Sequence, residues 1–437
     1  MIFMAEKKEF GLFGLIGVVI GSVIGGGIFN ISKEIAKTSS IGAALIGWTI
    51  SALGVFFIIK IYQRLLLKKP DLNNGIYEYA RIGFGPLAGF FSAWGYWLAC
   101  VVSNASYPVL IVQTLSYFFP SIVGVKTPQG FILGTSLLWL ISYIIMKGIK
   151  TYNFFNFLAT FGKVSAIIMS ICFMFIFFKY KIFSFDFWGT LNYKGDIFVQ
   201  IKGCMLQTLW ALIGVEGAVV ISGRAKNKND VSQATFIGYF IALFLYIFIV
   251  VLSYGILPAE KLQNLKDPAL AYILEAIIGK WGAIFINISV LISIFGAWIT
   301  WTIIAAEIPY NISMDNLFPS FLKNLNVNGA ASNAIIFNAF IKQLAFMVSL
   351  FSSNVYLIIT NSAAALMLLP YIFSILFLLK ISSFKNEKIY ILYGILAIFY
   401  CFWMVYAAGE KYIIQTLLIY LTGLPLYLYK KYESSTN

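Results

Sequence analysis

The 437-residue chain contains no histidine, and charged residues make up only 11% of it. Without imidazole, the commonest general base and the commonest transition-metal ligand are both missing, which weighs against a membrane enzyme. No compact carboxylate cluster takes their place. Cysteine is scarce as well. Cys100, Cys172, Cys204 and Cys401 all lie in apolar runs, with neither a paired pattern nor metal-type spacing, and read as small core residues. No metal site and no cofactor is expected. A soluble domain carries about 25% charged residues. This chain is instead 60% hydrophobic and 18% aromatic, with a mean hydropathy of +0.87. It is an integral membrane protein. Its start, MIFMAEKKEF, is charged and runs straight into a long apolar span, so no cleavable leader is expected.

About 12 apolar segments reach spanning length, taking roughly 20 residues per helix. They cover 10–31, 41–61, 85–119, 129–147, 154–178, 199–222, 233–256, 272–310, 333–351, 355–379, 389–407 and 412–429. The third and eighth exceed what a bilayer requires, which implies tilt or extension beyond the membrane. The interruptions are short and polar, such as QRLLLKKPDLNNG and PAEKLQNLKDP, and none could form a separate soluble domain. With both termini cytoplasmic, the inner segments hold about 18 lysines and arginines and the outer ones about 11, the bias that orients membrane proteins. The inner set includes Lys7, Lys8, Arg64, Lys68, Arg81, Lys150, Arg224 and Lys385. The net charge of +14 therefore reads as topology, with the lipid bilayer as partner and no nucleic acid.

What is abundant is glycine in unusual places. The first span contains GSVIGGGIFN, with Gly25, Gly26 and Gly27 near its middle. A glycine costs a helix roughly 1 kcal/mol relative to alanine, and in lipid every freed backbone group needs a partner inside the protein. The sixth span contains TLWALIGVEGAVVISGRAK, with Gly214 and Gly217 flanking Glu216. Two glycine-interrupted spans, five apart and opposite in direction, mark an inverted-repeat transporter. Each break offers amides suited to a carboxylate and carbonyls suited to an ammonium group. An amino acid carries both. Close helix packing through Gly21-x-x-x-Gly25 is the structural alternative for the first cluster alone.

Four stretches carry a family resemblance: GSVIGGGIFN, WGYWLACVVSNASYPVLIVQTLSYFFP, TLWALIGVEGAVVISGRAK and GAWITWTIIAAEIPYNISMDNLFP. Together they resemble the basic amino acid/polyamine antiporters of the amino acid–polyamine–organocation superfamily, and most of all the arginine–ornithine antiporters. The resemblance implies an all-α integral membrane fold of two inverted five-helix repeats plus two C-terminal helices. The repeats would occupy 10–178 and 199–379, with the last two helices at 389–429. It also implies a substrate pocket formed by Val23, Gly25, Gly26, Gly27, Asn104, Tyr107, Trp210, Ile213 and Trp301. Gly26 stands where many relatives have serine, so backbone amides must serve there. Tyr107 stands where the arginine–agmatine relative has methionine, which implies a smaller or more polar pocket. Tyr96, Glu216 and Tyr371 match a gate beneath the substrate.

Two charges lie deep in spans. Glu216 is about 16 residues into the sixth, where a carboxylate must be protonated, paired or wet. It is either a neutral core group or a sensor of protons or substrate charge. Arg224, eight residues on, is expected to meet headgroups or loops. Lys163 lies about 15 Å into the fifth span at 1.5 Å per residue, too deep for easy snorkelling. In similar transporters a lysine here occupies the region where sodium-coupled relatives hold sodium. Its ammonium could satisfy carbonyls at the first-span break.

The resulting expectation is a multi-pass exchanger of cationic amino acids in the plasma (inner) membrane, arginine against ornithine, with lysine and agmatine as alternatives. A proton-coupled symporter of the same fold is the alternative mechanism. Association into a homodimer is left open by the sequence.

Overall fold

The computed structural model describes residues 11–72, 76–121, 124, 126–148, 152–191, 194–220, 225–349, 351, 355–383 and 386–436. Lys7, Lys8, Lys150, Arg224 and Lys385 lie outside the described residues. Among the described residues there are helices and turns and no strand. The chain begins with α1 (Leu12–Val23), a 3-10 turn (Gly26–Phe29) and α2 (Ile31–Ala36). There follow α3 (Ile41–Lys68), α4 (Ile76–Phe84), α5 (Pro86–Asn104), α6 (Ser106–Phe118), α7 (Pro128–Met146) and α8 (Tyr152–Ile176). After a short α9 (Tyr180–Ser184) come α10 (Ile197–Leu212), α11 (Gly217–Val220), α12 (Lys228–Ile256), α13 (Ala259–Gln263) and α14 (Ala269–Ile278). The chain continues with α15 (Lys280–Met314), α16 (Ser332–Ser349), α17 (Val355–Ile381), α18 (Lys388–Leu421) and α19 (Leu424–Thr436).

Eight helical stretches are long and apolar enough to cross a membrane unaided, and α1, most of α8 and α16 are shorter apolar helices. One of the eight, 388–430, crosses twice. Arg64 lies over the Tyr390 ring at one end of the bundle, whereas Phe198 packs on Tyr406 at the other. The helix breaks at Gly409. Beyond it, Gln415 and Tyr420 run back beside Ser362 and Leu366 of α17, bonded at 3.1 and 2.7 Å. Counted this way, the described residues supply twelve crossings, as the hydropathy pattern implies.

Three elements differ from the uninterrupted spans read in the sequence. The third divides at Ala105, because Pro108 has no amide to donate back to Asn104. The eighth divides at Gly279 into α14 and a 35-residue α15, roughly 52 Å long at 1.5 Å per residue. The twelfth, read as 412–429, breaks between Leu421 and Leu424.

Lipid tails give helices no hydrophobic reason to associate, so packing and internal polar contacts must hold the bundle. Trp48, Trp97, Trp298, Tyr62, Tyr79 and Tyr239 are fully buried within it, while Phe161, Phe175, Leu344 and Phe399 lie on its outer surface. Ion pairs tie the bundle at its ends. At one end Asp267 accepts from Lys33 of α2 (2.7 Å) and Gln113 of α6 (2.8 Å). At the other, Asp315 pairs with Arg81 (2.9 Å) and accepts from Tyr77 (2.8 Å), tying α4 to the end of α15.

Also at that second end, Glu387, preceding α18, accepts from Arg64 (2.7 Å) and from Lys68, both on α3. Desolvation raises the carboxyl's affinity for a proton, but the bonds from Lys68 and Arg64 outweigh it and hold the group at about 2, against an ordinary 4.5. A depressed folded value means stability present above about pH 4.5 and lost as pH falls towards 2. Glu387→Gln is expected to flatten the acid side of the melting-temperature profile. The same acid-side fall in wild type and variant would refute this.

Candidate functional site

The site is built where two helices stop. α1 ends at Val23, and Ile24 leaves the helical region (φ −84°, ψ 85°) before the GGIF turn begins. The amide of Gly25 bonds the Val23 carbonyl (3.1 Å), which also accepts from the Tyr246 hydroxyl of α12 (3.2 Å). The first amides of any helical turn lack partners within it. Among the described residues those of Gly26 and Gly27 have no backbone acceptor outside the turn.

The second break lies alongside. α10 ends at Leu212, and Gly214 takes φ +103°, a conformation that disfavours any side chain. A Cβ at Gly214 would also lie 2.8 Å from the Ser22 carbonyl oxygen. The Ser22 hydroxyl donates across the crossing to the Gly214 carbonyl (2.8 Å). Among the described residues no amide donates to the carbonyls of Ala211 and Leu212. The first half of each broken helix packs on the second half of the other, α1 on α11 and α10 on α2.

A cavity opens at this crossing. Val23, Gly25, Gly26, Gly27, Tyr107, Trp210, Ile213 and Trp301, all singled out in the sequence, line it. Trp210 lies so close to the first break that a Cβ on Gly27 would sit 1.9 Å from its ring. Tyr107 stacks on Trp298 with ring centres 6.0 Å apart. Among the described residues no charged side chain lines the cavity: Gly26 and Gly27 stand at one break, Trp210 and Ile213 at the other, with aromatic faces around them.

Asn104, the remaining pocket candidate, stands behind the wall instead of in it. Its Nδ2 donates to the carbonyls of Cys100 (2.8 Å) and Trp301 (3.2 Å), and its buried Oδ1 has no partner. The sequence reading missed several lining residues, among them Ser22, Cys100, Ser103, Ser106, Tyr246 and Met367. Tyr246 sits in a uniformly apolar span and carries no local signal. Ser22 was legible in principle, lying within the glycine stretch itself.

Glu216 is fully buried next to the second break. One carboxyl oxygen accepts from the Gly214 amide and the Tyr371 hydroxyl, each at 3.1 Å, and the other has no partner. Tyr371 meets Tyr62 edge to face at 6.3 Å, and Tyr96 is buried on α5. Two of the three gate candidates, Glu216 and Tyr371, are therefore brought together, with Tyr62 beside them, which the sequence did not reveal. Lys163, 2% exposed, donates to the carbonyls of Gly21 (3.2 Å) and Ile24, the last turn before the first break. Among the described residues no group of three His, Cys, Asp or Glu side chains could hold a metal ion.

Two broken helices meeting at one cavity, with the Gly26 and Gly27 amides in its lining, are the arrangement that suits a small zwitterion. Comparison with known proteins decides the family: the amino acid permease model matches residues 10–424. The chain belongs to the amino acid permease family. It is therefore a transporter and not an enzyme. It is similar to an arginine/agmatine antiporter of Chlamydia pneumoniae, 37% identical over 437 residues, covering 97% of this chain and 90% of that protein. The arginine/agmatine antiporter of Chlamydia felis is 36% identical over 436 residues, with the same shares of each chain.

At the permease's first break Lys163 donates to the carbonyls of Gly21 and Ile24. Lys163→Met keeps the shape and removes the donors, leaving oxygens unsatisfied at roughly 1–3 kcal/mol for a buried group. The variant is expected to melt at a lower temperature in detergent and to transport more slowly. A variant matching wild type in both would show that the ammonium does not brace the helix.

Proposed function

We propose that this permease exchanges cationic amino acids by alternating access, taking arginine in one direction against ornithine in the other, across a plasma membrane with both termini on the cytoplasmic side. The observation that carries this reading is the charge pattern of the cavity. The amides of Gly26 and Gly27 are available to an α-carboxylate, and the C-terminal end of α10, where Trp210 and Ile213 line the same cavity, to an α-ammonium. The side chain then lies against Trp210, Tyr107 and Trp301, where ring faces accommodate a guanidinium or ammonium without a carboxylate. Tyr96, Glu216 and Tyr371 close the cavity on one side. Residues 10–178 and 199–379 act as the two inverted repeats, consistent with the reciprocal packing of the broken halves.

Ornithine fits this arrangement as counter-substrate because it keeps the α-carboxylate that the glycine amides favour. Agmatine is the second reading, favoured by the names of the chlamydial relatives. Liposomes loaded with one compound at a time separate the two. Radiolabelled arginine uptake is expected with internal ornithine or arginine, and little with empty vesicles. Full exchange against agmatine and none against ornithine would replace the first reading by the second. Equal uptake into empty vesicles under a proton gradient would overturn antiport in favour of proton symport.

The aromatic wall gives an independent test. Trp210→Leu retains an apolar side chain and removes the π face, and is expected to weaken arginine binding by about 1 kcal/mol, roughly fivefold. Unchanged affinity in the folded variant would reduce Trp210 to packing.

A further inference from the structure

Lys342 is a second lysine buried in the bundle. It lies ten residues into α16, has no exposed surface, and its Nζ is 3.2 Å from the Thr302 hydroxyl of α15. Among the described residues no carboxylate pairs with it. An amine buried this way is costly to a membrane bundle, and replacing such a group by a shape-matched apolar one is often neutral or stabilising. Its presence calls for a role other than holding the fold together.

Its place supplies one. Thr302 directly follows Trp301, which lines the cavity, and the Trp301 carbonyl accepts from Asn104 of α5. One turn before Lys342, the Asn338 side chain accepts from Trp97 Nε1 at 2.8 Å, joining α16 to α5. One turn before Thr302, Trp298 stacks on Tyr107 of the cavity wall. The aromatic stretch of α15 is thus gripped from α5 and from α16. We propose that Lys342 is a positioning residue for substrate binding: through Thr302 it sets the rotation of α15 and hence the place of Trp301 in the cavity. This rests on the proposed reading of Trp301 as a substrate-contacting wall.

If Lys342 acts through Thr302, removing either partner breaks the same link, and removing both costs no more. Lys342→Met and Thr302→Val are each expected to raise the KM for arginine exchange about three- to tenfold with little change in maximal rate. The double variant should match the singles, and the detergent melting temperature of Lys342→Met should not fall. An unchanged KM in both singles, or effects that multiply in the double variant, would overturn the proposal. A second readout does not depend on the transported amino acid. In protein labelled with 5-fluorotryptophan, the Trp301 fluorine resonance, assigned by its loss in Trp301→Phe, should move in both singles. That of the exposed Trp281 should stay. A Trp301 resonance fixed in both variants overturns the positioning role, whichever amino acid the wild type carries.

Discussion

Two interrupted helices crossing at backbone distance set the terms for everything around them. Inside a bilayer an unwound segment is tolerated only where other parts of the protein satisfy its polar groups. The Ser22 hydroxyl on the Gly214 carbonyl, the Lys163 ammonium on Gly21 and Ile24, and the Tyr246 hydroxyl on Val23 are those partners. Those from α8 and α12 serve the first break and that from α1 the second, so three crossings supply partners to the two breaks. What they leave unsatisfied is as important as what they satisfy. Among the described residues the amides of Gly26 and Gly27 and the carbonyls of Ala211 and Leu212 have no backbone partner outside the helical turns.

The distribution of charge follows from the same constraint. Salt bridges sit at the two ends, Lys33–Asp267 at one and Arg81–Asp315 and Arg64–Glu387 at the other. Between them, among the described residues, Glu216, Lys163 and Lys342 are buried acidic and basic side chains without an ion-pair partner. Each is held by backbone or hydroxyl groups instead. Such contacts can be remade when helices shift, whereas a buried ion pair, once broken, leaves two uncompensated charges. A bundle arranged like this suits a protein that must adopt more than one conformation without a large electrostatic barrier.

Much of the site was readable in the chain because it is local. GSVIGGGIFN and IGVEG announce their breaks by composition alone, and eight of the nine proposed pocket residues line the cavity that those breaks create. Lys163 was legible because a lysine ten residues into an apolar run has few alternatives. Tyr246, Tyr62 and Lys342 were not, and each for a reason of distance. Tyr246 meets a carbonyl 223 residues away, and Tyr62 faces Tyr371 from another crossing. Lys342 lies in a run whose polar neighbours hid how deeply it is buried. Asn104 shows the opposite error: its position is right, but its side chain turns to the Trp301 backbone and not to the cavity.

The chain alone determined the membrane environment, the twelve crossings, the two breaks and the family pattern, because hydropathy and glycine composition act over one helix length. Tertiary structure decided which freed backbone groups are satisfied and which stay open. It also decided that 388–430 turns back at Gly409, and that Trp210 closes over Gly27. Those outcomes depend on which crossings lie side by side. In lipid that is set by shape and by the pairing of buried polar groups, neither of which leaves a periodic trace in the sequence.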